Sequence, residues 1–204
     1  MIGRIACVGE VMLDVFVSSP SRHGPIRVRP GGTPVNAALA AGPRAFVVGR
    51  IGNDAAGAAV RAGLAGARLA VDPALPTGTF VELADGTTHA DRGANAVLAL
   101  ADVLPLDADV VLLSGYTPLP VLEHVEARWR AFVCTPTTTE IPEAANVVFA
   151  NGEEAARLAI GEREIVVVTH GADGATVNGQ HVAPTGDAGT GAGDRFAGRF
   201  LSEL

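Results

Sequence analysis

Short apolar runs alternate along this chain with segments whose apolar residues recur at helical spacing. Buried strands are predicted at 4–9, 45–48, 109–113, 131–135, 147–149 and 165–169. Helices are predicted at 34–42, 54–65, 119–129 and 152–160, and a last one from about Gly191 to the end. Strands that alternate with helices are typical of a mostly parallel sheet covered on both faces. We therefore expect an α/β fold, a three-layer α/β/α sandwich.

Two hairpins and one unusual loop interrupt this alternation. Asp85-Gly86 lies between two alternating runs, 79–83 and 87–91, and Asn178-Gly179 closes a second hairpin. Residues 18–30 are polar and rich in proline and arginine. They fit either a mobile segment beside a site that handles negative charge or a solvated loop.

Composition narrows the class of protein. A length of 204 residues, of which 48% are hydrophobic and 18% charged, fits one globular domain, so we expect a single domain over 1–204. The net charge of −7 argues against nucleic acid or an anionic membrane as partner. The chain contains no lysine, which excludes a P-loop lysine, a protein-kinase lysine and Schiff-base chemistry.

The two cysteines and the N-terminus bear on location. Cys7 and Cys134 each lie in an apolar run, without metal-ligand spacing, so we expect buried free thiols in a reducing compartment. The chain leads at once into a strand, and no apolar run reaches the length of a membrane span. We expect a cytoplasmic protein without a signal peptide or membrane partner.

The run Gly189-Thr190-Gly191-Ala192-Gly193-Asp194 places glycines and a carboxylate just before an amphipathic helix. Glycines at a helix start let backbone N–H groups approach an anion, which the helix dipole also favours. A carboxylate there suits the removal of a proton from a group that attacks a phosphoryl centre. A plain glycine-rich loop is the alternative. The glycine spacing does not match a dinucleotide fingerprint.

Two further patches carry groups that bind hydroxyls. Asp14 follows the first predicted strand, in a segment that begins at Gly9-Glu10. Gly31 and Gly32 open a helix whose first turn projects Asn36. Carboxylate and amide groups suit sugar hydroxyls, although a helix cap explains each of them equally well when taken singly.

Two more patches follow strands in the second half of the chain. Asn151 and Glu154 are three residues apart at a helix start, so both can face one hydrated cation, with a capping box as the competing explanation. The turn from Thr169 to Gly174 leaves the most apolar strand, and ligands bind at the carboxyl ends of such strands.

In this order the motifs resemble those of the ribokinase-like (PfkB-type) carbohydrate kinases, and the resemblance covers residues 3 to about 201. The matching positions are Gly31 to Ala38 (GG-x-x-x-N-x-A), Gly49, Gly52, Asp54 and Gly57 (G-x-x-G-x-D-x-x-G), Asn151 and Glu154 (N-x-x-E), Thr169, Gly171 and Gly174 (T-x-G-x-x-G), and Gly191 to Asp194 (GAGD). One such match is weak evidence, whereas their order along the chain is specific.

The resemblance implies a role for each matching residue. Asp194 would be the catalytic base, and the backbone amides of Gly191, Ala192 and Gly193 would form an anion hole for the transferred phosphoryl group. The sugar would be bound by Asp14, Gly31, Gly32 and Asn36. Asn151 and Glu154 would support Mg²⁺, and the turn with Thr169, Gly171 and Gly174 would lie along ATP. Residues 11–30 and 77–92 would form a small β lid over the sugar, which in this family often pairs with a second subunit, so we expect a homodimer.

The chain departs from the family pattern before and after the GAGD motif. Family members usually carry Asp-Thr-Thr where this chain has Ala188-Gly189-Thr190, and Asp187 is one position out of register. We therefore expect little dependence on a monovalent cation. Members also continue well beyond the GAGD helix, so we expect adenine to be poorly enclosed and ATP to be poorly distinguished from GTP. His170 replaces what is usually an apolar or basic residue and is read as a loop residue or a nucleotide contact.

The sequence thus indicates an ATP-dependent kinase that phosphorylates a hydroxyl of a small sugar or sugar-like substrate. A nucleoside kinase of the same fold is one alternative. A catalytically weak sugar- or nucleotide-binding regulatory protein is another. The identity of the acceptor lies in side-chain placement on loops, which sequence patterns do not reveal.

Overall fold

The apolar runs of the sequence form the strands of one large sheet, and most of the remaining strands form a small second sheet. The computed structural model describes residues 3–21, 23–117, 119–184 and 189–204. The strands are β1 (Ile5–Val8), β2 (Met12–Val17), β3 (Ile26–Gly31), β4 (Ala45–Gly52), β5 (Arg68–Asp72), β6 (Gly78–Glu82), β7 (Thr88–Asp91), β8 (Val110–Ser114), β9 (Trp129–Val133), β10 (Val147–Asn151), β11 (Ile165–Thr169), β12 (Ala175–Val177) and β13 (Gln180–Val182). The helices are α1 (Thr33–Ala41), α2 (Ala55–Gly63), α3 (Leu100–Val103), α4 (Gly152–Arg157) and α5 (Ala192–Glu203).

Within the described residues the large sheet has the strand order β13-β12-β11-β10-β9-β8-β1-β4-β5. All neighbours from β11 to β5 are parallel, and only β12 and β13 at one edge are antiparallel. The carboxyl ends of the parallel strands therefore meet at one edge of the sheet. Ligands bind at that edge in folds of this kind.

Both faces of the large sheet are covered, as the strand residues show. Along β1, Ile5 and Cys7 pack into a core with residues of α1, α2 and α5, whereas Ala6 and Val8 pack into a second core with residues near α3 and α4. The alternation follows from the two-residue period of a strand. The α/β/α sandwich predicted from the sequence is confirmed. Both cysteines are buried and free, and burial raises the pKa of Cys7 to about 12.

The second sheet has the order β3-β2-β6-β7. β2 pairs with β6 in parallel register, with Asp14 opposite Phe80, so the two segments that the resemblance assigns to a lid share one sheet. Residues 26–30 of the arginine-rich segment lie in β3, so they form a strand rather than a loop. Whether this sheet acts as a lid stays a prediction.

Helices α1 and α5 lie against each other with little space between their backbones. A Cβ atom added at Gly198 would lie 2.0 Å from the Ala37 carbonyl oxygen, far inside van der Waals contact. Glycine therefore permits this close approach, which brings the N-terminus of α5 to the N-terminus of α1.

The helix predicted at 119–129 is wrong. The structure has a single 3₁₀ turn there, Leu122–His124, and Trp129 already begins β9. The apolar residues Val121, Leu122 and Val125 are buried as expected, but Trp129, which completes the helical spacing, pairs with Val110 as part of β9. Helix α4 is also shorter than predicted and ends at Arg157.

Candidate active site

A cavity of about 880 Å³ opens at the carboxyl edge of the large sheet and is covered on one side by the second sheet. It brings together most of the residues selected from the sequence. The predicted site residues that line it are Asp14, Gly32, Asn36, Asn151, Glu154, Thr169, Gly171, Gly191, Gly193 and Asp194. Gly31, Ala192 and Gly174, which the sequence also selected, are not among the lining residues.

Asp194 lies in the first turn of α5 and is held by the N-terminal turn of α1. The Asn36 side-chain amide donates to Asp194 Oδ2 at 3.2 Å, and the Thr33 side chain also hydrogen-bonds this carboxylate. Burial raises the pKa of Asp194 above its ordinary value, while the bonds from Asn36 and Thr33 act in the opposite direction. A carboxylate in this position has the raised proton affinity that a general base needs.

No side-chain hydrogen bond caps the N-terminus of α5, and the Ala192 N–H donates to the Gly189 carbonyl at 3.1 Å. Gly191 adopts a left-handed conformation with φ of 78° and caps the helix without a side-chain hydrogen bond. A Cβ at Gly191 would lie 2.5 Å from the Asn36 amide nitrogen, so only glycine fits there. A Cβ at Gly193 would meet open space. Such a helix start, open on its cavity side, fits a phosphoryl oxygen.

Asp14 faces the cavity from β2 and is 3% exposed. Burial raises its pKa to about 6, against the opposing effect of Arg29, whose guanidinium lies 3.9 Å from Asp14 Oδ2. Gly31 of β3, which is opposite Met12 of β2, lies against the Asp14 side chain, and a Cβ there would lie 1.9 Å from the carboxylate. Gly31 thus makes room for Asp14 instead of lining the cavity itself.

Asn151 and Glu154 form a reciprocal capping box at the start of α4. Glu154 Oε2 accepts from the Asn151 N–H at 2.9 Å, and Asn151 Oδ1 accepts from the Glu154 N–H at 2.8 Å. The structure thus contains the capping box, which the sequence analysis gave as the alternative to a cation site. Glu154 also lines the cavity, so its carboxylate fits a hydrated magnesium ion, which proteins often bind through one or two carboxylates. Among the described residues no cluster of three acidic, His or Cys side chains could hold a metal by itself.

The turn after β11 contributes unevenly to the site. Thr169 and Gly171 line the cavity, and the Thr169 hydroxyl donates to the Ala150 carbonyl at 3.4 Å. Gly174, with φ of 89°, closes the turn toward β12, where a Cβ would lie 2.3 Å from the Val182 carbonyl oxygen. Gly174 therefore has a structural reason to be glycine. His170 is exposed and contacts the Thr176 hydroxyl at 3.4 Å.

Several cavity residues were missed from the sequence. Thr135 follows β9 and forms a hydroxyl cluster with Thr137 and Thr138. Tyr116 follows β8, and Arg92 donates to its carbonyl at 2.7 Å. Both segments follow core strands. Because ligands bind at the carboxyl ends of parallel strands, the positions of these residues after predicted strands could have identified them. Glu10, which follows β1, also lines the cavity and was not selected as a site residue from the sequence.

One hydrogen bond joins the second sheet to the glycine-rich loop. The Thr190 hydroxyl donates to Glu82 Oε2 at 2.5 Å. Glu82 is the last residue of β6, and Thr190 immediately precedes Gly191. Asp187 and Ala188, on which the expectation about monovalent cations depends, lie outside the described residues.

No protein-family model matches this sequence. The chain is 29% identical over 223 residues to the "Bifunctional protein HldE" of Gluconacetobacter diazotrophicus, a match that covers 80% of this chain and 46% of that protein. The chain thus spans less than half the length of this curated relative. None of the helices in the described part of the chain has both the length and the apolar character of a membrane span.

Solved kinase structures share the whole fold. Ribokinase from Giardia lamblia superimposes with a TM-score of 0.75 and 20% identity, covering 98% of this chain and 83% of that one. Arabidopsis thaliana ribokinase complexed with ribose and ATP superimposes with a TM-score of 0.73 and 21% identity, covering 99% of this chain and 86% of that one. Adenosine kinase from Schistosoma mansoni in complex with tubercidin superimposes with a TM-score of 0.76 and 16% identity, covering 100% of this chain and 89% of that one. The resemblance read from the motifs is thus confirmed at the level of structure, and the chain has the ribokinase-like fold.

Proposed function

We propose that this chain is an ATP-dependent kinase that transfers a phosphoryl group to a hydroxyl of a small sugar or sugar-like substrate. The observation that carries the proposal is the placement of Asp194. Its carboxylate lies in the cavity at the carboxyl edge of the sheet, beside the uncapped start of α5, and is held by Asn36 at 3.2 Å. A base next to an anion-binding helix start is the pair of groups that phosphoryl transfer to an alcohol requires.

In the proposed mechanism each group has one task. Asp194 accepts the proton of the attacking hydroxyl, and the bonds from Asn36 and Thr33 keep its carboxylate oriented toward that hydroxyl. The backbone N–H groups of Gly191 and Gly193 stabilise charge on the transferring group, whereas that of Ala192 is already bonded to the Gly189 carbonyl. Asp14 and Asn36 bind other hydroxyls of the acceptor, since carboxylate and amide oxygens accept hydrogen bonds from hydroxyls.

The nucleotide would lie between α5 and the turn after β11, along Thr169 and Gly171. Both residues line the same cavity as Asp194. Glu154, with Asn151 at its side, would hold Mg²⁺ through bound water. When bound, magnesium neutralises charge on the phosphates.

Two alternatives remain as rival proposals. A nucleoside acceptor is favoured by the structural similarity to adenosine kinase, which binds tubercidin in its solved complex. A regulatory protein that binds a sugar or nucleotide without fast turnover would keep the same cavity. The intact Asp194 and its two hydrogen-bond partners favour the enzyme over this second alternative.

We further propose a cytoplasmic homodimer that pairs through the lid formed by β3, β2, β6 and β7. β3 and β7 are the edges of this sheet, and sheet edges are ready sites for pairing. Ile26 and Val28 on β3 are 61% and 57% exposed, which a partner strand would cover. Light scattering tests the dimer, and a monomer at all concentrations would contradict it. The two buried free thiols fit a reducing compartment.

The proposed activity is tested with a panel of sugars, sugar derivatives and nucleosides in the presence of MgATP. ADP release identifies the acceptor, and ³¹P NMR of the product locates the phosphorylated hydroxyl. Turnover with sugars supports the proposal, whereas turnover with nucleosides alone supports the first alternative. Saturable sugar binding in calorimetry without any turnover supports the regulatory protein.

A further inference from the structure

We propose that Glu10 is a positioning residue for the base: its buried carboxyl group fixes the N-terminus of α1, and α1 in turn holds Asp194. The inference rests on the proposed function, in which Asp194 removes the proton from the acceptor. Glu10 itself touches neither substrate nor the reacting atoms in this account.

Glu10 supplies the cap that helix α1 lacks. The N-cap position of α1 is Gly32, which has no side chain to accept a hydrogen bond, and the first turn contains no acidic residue. Glu10 Oε1 accepts from the Thr33 N–H at 3.1 Å, from a loop 23 residues away. The side chain is only 6% exposed, so water does not replace it as the acceptor. A helix start without a partner for its N–H groups is costly when buried.

The backbone around Glu10 leaves little freedom for this cap to move. Gly32 has φ of 96°, and a Cβ there would lie 2.2 Å from the Glu10 carbonyl oxygen. Asn95 holds the next residue from both sides, since its Oδ1 accepts from the Val11 N–H at 2.8 Å and its Nδ2 donates to the Val11 carbonyl at 3.0 Å. Glu10 therefore acts as a fixed point against which α1 is placed.

Two residues of the same helical turn transmit this placement to the base. Thr33, whose N–H binds Glu10, also hydrogen-bonds Asp194 through its side chain. Asn36, three residues further along this first turn of α1, donates to Asp194 Oδ2. A shift of the α1 N-terminus would loosen both bonds at once. Both bonds stabilise the ionised carboxylate, so loosening them raises the pKa of Asp194.

Glu10 performs this task through one acceptor atom, Oε1, which bonds the Thr33 N–H at 3.1 Å. Burial raises the pKa of Glu10, against hydrogen bonds from Ser114 and Thr33, and the nearby Asp194 raises it further. The other charged or titratable groups that act on Asp194, or on which Asp194 acts, are Arg195 on α5, Glu154 on α4, Asp14 on β2 and Tyr116 after β8. A neutral side chain with a carbonyl oxygen at the Oε1 position should therefore serve as well as the native one.

A matched pair of variants separates the acceptor from the charge. Glu10→Met keeps the volume but removes the acceptor, and Glu10→Gln keeps the acceptor but removes the charge. In protein labelled with ¹³C at aspartate carboxyls, Asp194 is assigned by the loss of its signal in Asp194→Asn. We expect its titration midpoint to rise by about 0.5–1 pH unit in Glu10→Met and to stay at the wild-type value in Glu10→Gln. With the acceptor found in the substrate panel, kcat should fall about tenfold in Glu10→Met at unchanged KM for ATP.

The same comparison contains the results that would overturn the inference. An unchanged midpoint in Glu10→Met, or equal midpoints in Glu10→Met and Glu10→Gln, would remove the positioning role. If Glu10→Met does not fold, Thr33→Val decides, because it deletes the hydroxyl at Asp194 but keeps the N–H at Glu10. An unchanged midpoint in Thr33→Val overturns the inference, and a raised one supports the step from Thr33 to Asp194 on which the inference depends. A wild-type protein that phosphorylates nothing in the panel would refute the proposed function alone, since the NMR titration needs no turnover.

Discussion

Asn36 on α1 and Asp194 on α5 are joined by a 3.2 Å hydrogen bond from the Asn36 amide to the Asp194 carboxylate. The two residues are 158 positions apart in the chain. The bond exists because Gly198 lets α5 approach the α1 backbone and Gly191 leaves room for the Asn36 amide. Acceptor binding and proton removal are therefore expected to depend on the same side chain.

Replacing Asn36 tests this dependence. Asn36→Ala should weaken acceptor binding by roughly 0.5–3 kcal/mol while nucleotide binding changes little. It also removes a bond that lowers the pKa of Asp194, so the rate should begin to fall at a higher pH as the solution is acidified. Calorimetry with each ligand and a pH–rate profile measure the two effects. Leu39→Ala, at an exposed position of the same helix, is the control. Equal losses for both ligands at an unshifted profile would assign Asn36 a purely structural role.

Asp14 should reduce stability near neutral pH. Its pKa in the folded state is about 6, above its ordinary value, so the folded protein binds the extra proton as the pH falls through 6. The free energy of unfolding should therefore gain from Asp14 protonation between about pH 6 and 4, and Asp14→Asn should stabilise the protein at pH 7 by roughly 1–3 kcal/mol. Urea denaturation from pH 4 to 7 measures this. The same variant should bind the acceptor less well.

Asp72 provides a matched control of opposite sign. Backbone N–H groups of Leu75 and Ala74, together with Arg50, lower its pKa to about 2. Its contribution to stability is present above its ordinary pKa and is lost as the pH falls toward 2. Asp72→Asn should therefore destabilise the protein at pH 7. If Asp14→Asn and Asp72→Asn changed the free energy of unfolding in the same direction at pH 7, this electrostatic account would be refuted.

The bond between Thr190 and Glu82 should tie the second sheet to the glycine-rich loop. Thr190→Val removes the hydroxyl and should raise KM for the acceptor about three- to tenfold, because in the proposed mechanism the sheet would cover the acceptor. Thr190→Ser keeps the hydroxyl and should behave like the wild type. Steady-state kinetics with the acceptor varied would show the difference. If both variants gave the wild-type KM, the bond would have no part in holding the acceptor.

Two glycines of α5 should respond to alanine in opposite ways. In Gly198→Ala the new methyl group would meet the Ala37 carbonyl oxygen at 2.0 Å, so we expect a loss of about 1–3 kcal/mol in stability. In Gly193→Ala the methyl group meets open space, and the helix should gain up to about 1 kcal/mol. Thermal unfolding of both variants measures this. A Gly198→Ala protein as stable as the wild type would show that the two helices can separate freely.

The core strands and most of the helices were predictable because the residue patterns that indicate them are local in the sequence. Apolar runs of strand length predicted β1, β8 and β11, and the pair Asn151 and Glu154 marked the start of α4. The prediction for 119–129 was wrong because the helical spacing combines buried residues of a 3₁₀ turn with Trp129, which already belongs to β9. Sequence patterns could not predict the bond between Asn36 and Asp194 or the cap from Glu10, because packing between distant segments creates both. The sequence predicts which residues line the cavity better than which atoms they bind.

The central claim is that Asp194 is the base of a phosphoryl transfer, and Asp194→Asn tests it most directly. With the acceptor found in the substrate panel, single-turnover transfer from MgATP should be about 10²–10⁴ times slower in this variant than in the wild type. The affinity for the acceptor, measured by calorimetry, should stay close to the wild-type value. A transfer rate within about threefold of the wild type would place the base elsewhere and contradict the mechanism.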